Sequence, residues 1–102
     1  MKWYNYLAIL GAGFFLANVV PHMINGMSGR EFPSPFGNPP GVGLSTPTEN
    51  VIWALINLVI GYLLFRVSKA DSKNTIAHVL MFVGVAMCAL MCAASFGSNP
   101  SL

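Results

Sequence analysis

Three stretches of this chain, Trp3 to Val20, Val51 to Phe65 and Ile76 to Phe96, contain no aspartate, glutamate, lysine or arginine. Each is near the roughly 17–25 residues that carry a helix across a ~30 Å hydrocarbon core at ~1.5 Å per residue. That constraint outweighs every other feature, because a chain spanning lipid must satisfy its backbone polar groups internally, as helix or closed barrel. Composition agrees: 8% of the residues are charged and 55% are hydrophobic, whereas a soluble domain averages roughly 25% charged. Lys2 ahead of the first apolar run resembles the start of a secretory signal. No Ala-x-Ala pattern follows it, so the segment is expected to persist as a span.

The expected fold class is an all-α membrane protein with three transmembrane helices and a long Pro/Gly-rich external loop between the first two. The chain reads as one membrane domain. Its first helix is expected over about 3–25, the loop over about 26–46 and the second helix over about 47–67. A short loop at 68–73, a third helix over about 74–96 and a tail at 97–102 complete it. Thr46-Pro47-Thr48-Glu49 has the spacing of a capping box with proline at the first helical position. Asp71 or Ser72 is the expected cap of the third helix. Pro21 removes one helical hydrogen bond, Asn25-Gly26 is the expected stop, and the short 68–73 loop predicts an antiparallel hairpin of helices two and three.

Orientation follows the lysines and arginines. Lys2, Arg66, Lys69 and Lys73 flank one end of the expected bundle and Arg30 alone lies in the long loop, so the N-terminus is expected in the cytoplasm and the C-terminus outside. Trp3, Tyr4 and Tyr6 form an inner aromatic anchor, with Trp53 near the outer end of the second helix.

The segment "SGREFPSPFGNPPGVGLSTPTEN" combines glycines and prolines with Phe32 and Phe36. Burying each phenylalanine would contribute roughly 1.5–3 kcal/mol, which makes both natural anchors of a lid over the bundle. Docking of a partner, or lining of a pore, are the alternatives. Gly41-Val42-Gly43 lacks the third glycine and the lysine of phosphate-binding loops.

His22, Gly26, Gly29, Phe32-Pro33-x-Pro35-Phe36 and Val51-Ile52-Trp53 together resemble a pattern in small, uncharacterised bacterial multi-pass membrane proteins. That family has no established activity. The resemblance therefore implies a membrane protein of the bacterial inner membrane and carries over no catalytic or binding residue.

The candidate packing or path-lining residues are Asn18 in helix one, Ala54, Asn57 and Gly61 on one face of helix two, and Gly84, Cys88 and Cys92 as an i, i+4, i+8 stripe in helix three. A mid-span Asn57 needs a partner across a helix interface, and Asn18 is the candidate. No cofactor and no metal are expected. The soft side chains that would serve a copper(I)-like ion are His22, Met23, Met27, Met87, Cys88, Met91 and Cys92. Methionine as core filler and cysteine as a small hydrophobe explain them more simply. His22 and His78 fall at opposite ends of the bundle and cannot share a ligand within one protomer.

A net charge of +2 with no basic stripe excludes a nucleic-acid interface. With no titratable carboxylate or amine at membrane depth, proton-coupled transport is disfavoured. Glu31, Glu49 and Asp71, the only acids, assemble no hydrolytic constellation, so no enzyme is expected. The expected partners are the lipid bilayer and either further copies of the chain or other membrane subunits. The expected function is a non-enzymatic membrane protein acting through helix packing. An oligomeric channel or facilitator for a small uncharged solute is the alternative, and a soft-metal carrier the third.

Overall fold

The computed structural model describes all 102 residues. Helix α1 covers Trp3–Met27, strands β1 and β2 cover Phe32–Pro33 and Leu44–Ser45, helix α2 covers Pro47–Ser68 and helix α3 covers Thr75–Gly97. All three helices are long and apolar enough to cross a membrane. They form a body 42 × 23 × 21 Å, elongated because nothing but the helix axes sets its length.

Local chemistry explains the helix limits. At the start of α2, Glu49 N donates to Thr46 Oγ1 (3.1 Å) and Thr46 N donates to Glu49 Oε1 (2.9 Å), with Pro47 as the first helical residue. Two donors that no helical carbonyl can reach are thereby satisfied. Thr46→Ala is expected to cost about 1 kcal/mol, read as a lowered midpoint when SDS is titrated into the protein in mild detergent. Helix α2 ends where Lys69 adopts a left-handed backbone (φ 56°). The cap of α3 differs from expectation: Asn74, not Asp71 or Ser72, accepts from Ala77 N (3.0 Å). Asp71 instead accepts from Lys73 N (2.8 Å), tightening the turn one step earlier. Helix α1 also outlasts the Asn25-Gly26 stop, because the Asn25 amide donates back to the Pro21 carbonyl (2.7 Å) within the helix.

Helix α1 is the centre of the bundle. Both α2 and α3 pack along it and scarcely meet each other, so the expected α2–α3 hairpin is replaced by two helices flanking a third. The cause is the distribution of small residues on α1. Toward α3, a methyl group added at Gly13 would meet the Met81 carbonyl oxygen, and one added at Gly84 would meet the Leu10 carbonyl oxygen. The two backbones therefore lie in direct contact, as small-residue seams allow. Toward α2, Gly61 sits against Leu16 and Gly11 against Leu64. Near one end, Ile9, Ala12 and Ala77 make the fully buried apolar cluster.

Hydrogen bonds fix which termini share an end. Asn5 Nδ2 donates to the Val67 carbonyl (3.2 Å) and Asn74 lies against Met1 Sδ (2.6 Å), so the N-terminus and the 69–74 turn are together. At the other end, Asn99 Nδ2 donates to the Val42 carbonyl (3.0 Å), joining the C-terminal tail to residues 28–46. That segment is an ordered cap, not an extended linker. Its two-residue antiparallel ribbon pairs Phe32 with Ser45 and Pro33 with Leu44, a feature that proline at one of four positions hides from strand patterns.

Candidate functional site

Two buried polar assemblies occupy the cap half of the bundle, one helical turn apart on α1. The first is centred on Asn50, which is fully buried. Its Nδ2 group lies 2.9 Å from the Phe32 carbonyl, 3.0 Å from Ser45 Oγ, and 3.1 and 3.3 Å from the Thr46 and Ser45 carbonyls. Those carbonyls can only accept, so the amide nitrogen must face them and Oδ1 must face His22. His22 Nδ1 therefore carries the proton and donates to Asn50 Oδ1 (2.8 Å). Ser45 Oγ donates to the Phe32 carbonyl (3.0 Å) and lies 2.6 Å from Ser34 Oγ, which in turn accepts from Phe36 N (3.1 Å). One asparagine thus ties α1, α2 and both strands of the ribbon.

Aromatic rings close around this hub. The His22 ring meets Phe32, Trp53 and Phe96 edge-on at centroid distances of 5.6, 6.4 and 6.1 Å, and Phe32 packs on Phe96 at 4.6 Å. Phe32 is a true anchor. Phe36 is half exposed and touches Trp53 by its edge at 6.2 Å, so the two phenylalanines do not share the anchoring role expected of both. Trp53 thus meets both His22 and Phe36 at the cap.

The second assembly lies in the helix seams. Asn57, fully buried, donates from Nδ2 to the Trp53 carbonyl (2.8 Å), so its Oδ1 faces Asn18, whose Nδ2 donates to it at 3.1 Å. The partnership read from the sequence is present across the α1–α2 interface. Polarity then propagates: Asn18 Oδ1 is turned toward α3, 3.9 Å from Cys88 Sγ and 3.7 Å from Cys92 Sγ, with the two sulfurs 3.9 Å apart. Beside them a cleft of about 180 Å³ is lined by Asn18, Gly41, Cys88, Met91, Cys92 and Ser95 among others.

Placement of the remaining sequence candidates divides cleanly. Ala54 and Gly61 are buried on the α1-facing side of α2, and Gly84 and Cys88 on the α1-facing side of α3. This seam packs against α1 of the same chain, so Gly84 and Cys88 offer no surface to a second copy. The soft side chains do not converge as one set. Met27 and Met87 are exposed, Met23 is half-buried, and His22 is committed to Asn50, leaving Cys88, Cys92 and Met91 at the cleft. No three histidine, cysteine or acidic side chains come together. His78 is exposed near the opposite end.

Asn50, Ser34, Ser45 and Phe96 are not among the candidates that the sequence marks. The sequence does carry a signal for Asn50: positions 50, 54, 57 and 61 follow helical spacing, so Asn50 shares a face with Ala54, Asn57 and Gly61. Ser34 and Ser45 had no such signal, because their pairing depends on how the loop folds back. Comparison of the chain with family models, with curated proteins and with solved structures gives no match.

Proposed function

We propose that this chain is a small, non-enzymatic integral membrane protein that works through helix packing within a membrane assembly, its outer helix faces covered by lipid and by neighbouring subunits. The observation that carries this reading is the closed Asn57 amide, sealed between α1 and α2. Asn57 has no exposed surface and both ends of its amide are bonded. An amide lining a water path would keep a free donor or acceptor toward that path, as selective pores do. The outward faces supply the rest of the support: Phe82 and Leu90 on α3 are each 71% exposed, and Val59 and Leu63 on α2 are also open. Apolar surface of this extent requires an apolar environment.

Under this reading the end that carries Lys2, Lys69 and Lys73, with Arg66 in the last turn of α2, is cytoplasmic and the Arg30-bearing cap is external. The resemblance to small bacterial multi-pass membrane proteins supports the bacterial inner membrane as its location. Native mass spectrometry of the protein released in mild detergent is the test. A defined homo-oligomer or a complex with other subunits is the expected result. A lone chain carrying only lipid would sink the assembly reading. Flux of a small neutral solute into reconstituted vesicles, abolished by Asn57→Leu, would put the channel reading in its place.

A further inference from the structure

Cys88 Sγ, Cys92 Sγ and Asn18 Oδ1 stand at the corners of a nearly equilateral triangle with sides of 3.9, 3.9 and 3.7 Å. A point equidistant from all three lies about 2.2 Å from each, close to the ~2.3 Å of a metal–thiolate bond and the ~2.0–2.2 Å of a metal–oxygen bond in zinc sites. The oxygen is there for a structural reason. The Trp53 carbonyl accepts from Asn57, Asn57 accepts from Asn18, and the Asn18 amide is left with its oxygen toward the sulfurs. Hydrogen bonding thus sets the orientation of a third donor before any ligand arrives, as outer groups do in metal sites.

We propose that Cys88 and Cys92 bind one soft d10 cation of the copper(I) type at the cleft between α1 and α3, with the Asn18 amide oxygen as a weaker third contact.

The donor set selects the ion. Two sulfurs with no imidazole or carboxylate nearby suit a thiophilic ion of low coordination number. Zinc takes four ligands in structural sites, and no third histidine, cysteine or acid is at hand to supply them. Met91 adds a thioether to the cleft wall, another soft donor. Cys92 lies little more than one helical turn from the end of α3, and Gly41 of the cap forms part of the same wall. An ion therefore reaches the sulfurs from the capped end without crossing the bundle.

Binding is ligand exchange with no change of oxidation state. Two S–H bonds break, two sulfur–metal bonds form, and two protons leave through the cleft, so affinity rises with pH. All donors belong to one chain, and the site is independent of whether the protein assembles.

The test uses the full chain in mild detergent, titrated anaerobically with copper(I) from a chelator buffer and weighed by native mass spectrometry. One copper per chain is expected, with a neutral mass gain equal to copper less one proton, as a singly charged ion requires, displaced by silver(I) and not by equimolar zinc(II). Cys92→Ser, at a half-buried position that tolerates a hydroxyl, is expected to lose the ion while circular dichroism shows the helices intact. Asn57→Leu, which removes the group that orients Asn18, is expected to weaken binding about 10-fold or more. Met27→Leu and Met87→Leu, away from the cleft, leave it unchanged. Failure of the folded wild-type chain to retain copper overturns the proposal, as does retention by the Cys88→Ser, Cys92→Ser double variant. Zinc held as tightly as copper overturns the assignment to a soft ion.

Discussion

Replacing Asn50 by alanine is expected to release the 28–46 cap while the three helices stay in place. The substitution removes the acceptor of His22 Nδ1 and the donor shared among the Phe32 carbonyl, Ser45 Oγ and the Ser45 and Thr46 carbonyls. A buried polar group left without a partner costs about 1–3 kcal/mol, and several are created together, so a total of about 3 kcal/mol is a conservative magnitude. At about 1.4 kcal/mol per factor of ten, the open cap becomes more than about 100-fold more populated. Arg30 provides the readout, because it is the only lysine or arginine in the cap. Trypsin cleavage after Arg30 is expected to accelerate by that order, since proteolysis of a rapidly opening segment follows its open population. Helical circular dichroism is expected to remain. An unchanged cleavage rate would mean that the cap is held by its aromatic contacts alone. Asn50→Gln tests the same point from another side: the longer side chain keeps the amide but displaces it by about one bond, and intermediate cleavage is expected.

The parts of this fold that the sequence made legible are those governed by nearest-neighbour chemistry or by helical period. Helix α2 illustrates both: the Thr46–Glu49 reciprocal bonds follow from a four-residue spacing, and the face bearing Ala54, Asn57 and Gly61 follows from 3.6-residue repetition. The Asn18–Asn57 bond was legible for a different reason. Amides in the middle of long apolar helices are few and each needs a partner, so elimination leaves little choice. What escaped was tertiary. Short connections argue for neighbouring helices, yet α1 intervenes between α2 and α3 because Gly13 and Gly84 permit a backbone contact closer than any α2–α3 pairing offers. Nothing local to residues 68–74 records that preference.

The cap shows the same limit more sharply. Proline and glycine marked where a helix could not continue, and the phenylalanines marked something to bury. Which phenylalanine became the anchor depended on Phe96, 64 positions beyond Phe32 in the chain and 4.6 Å from it in centroid distance. The soft side chains divided for an equally non-local reason. His22 lies on the same α1 face as Asn18, but Asn50 takes its Nδ1 proton while Asn57 turns the Asn18 oxygen toward Cys88 and Cys92. Two asparagines on α2, seven residues apart, thereby give two turns of α1 different chemistry: a sealed hub under the cap and a sulfur-lined cleft beside it.

The α1–α3 seam is where a single added group is expected to do the most damage to the helices themselves. At Gly84 even a methyl would meet the Leu10 carbonyl oxygen and crowd Phe14 N, both backbone atoms that cannot rotate away. Overpacking a tight interface typically costs about 1–3 kcal/mol and occasionally more, and with backbone on the opposing side Gly84→Leu is expected at about 3 kcal/mol or above. The bulk can be accommodated only by moving α3 off α1, and α3 has almost no contact with α2 to hold it. SDS titration is expected to show an early transition assigned to α3 alone, followed by loss of the α1–α2 pair near the wild-type midpoint. Gly97→Ala is the matched control, since a methyl there meets nothing within 4 Å, and surface changes of that kind stay within about 0.5 kcal/mol. Equal midpoints for Gly84→Leu and wild type would refute the seam. Separation of α3 also carries Cys88 and Cys92 away from Asn18 while leaving both thiols in the chain. Copper(I) affinity is therefore expected to fall in Gly84→Leu, and the Asn18–Asn57 bond between α1 and α2 is expected to survive.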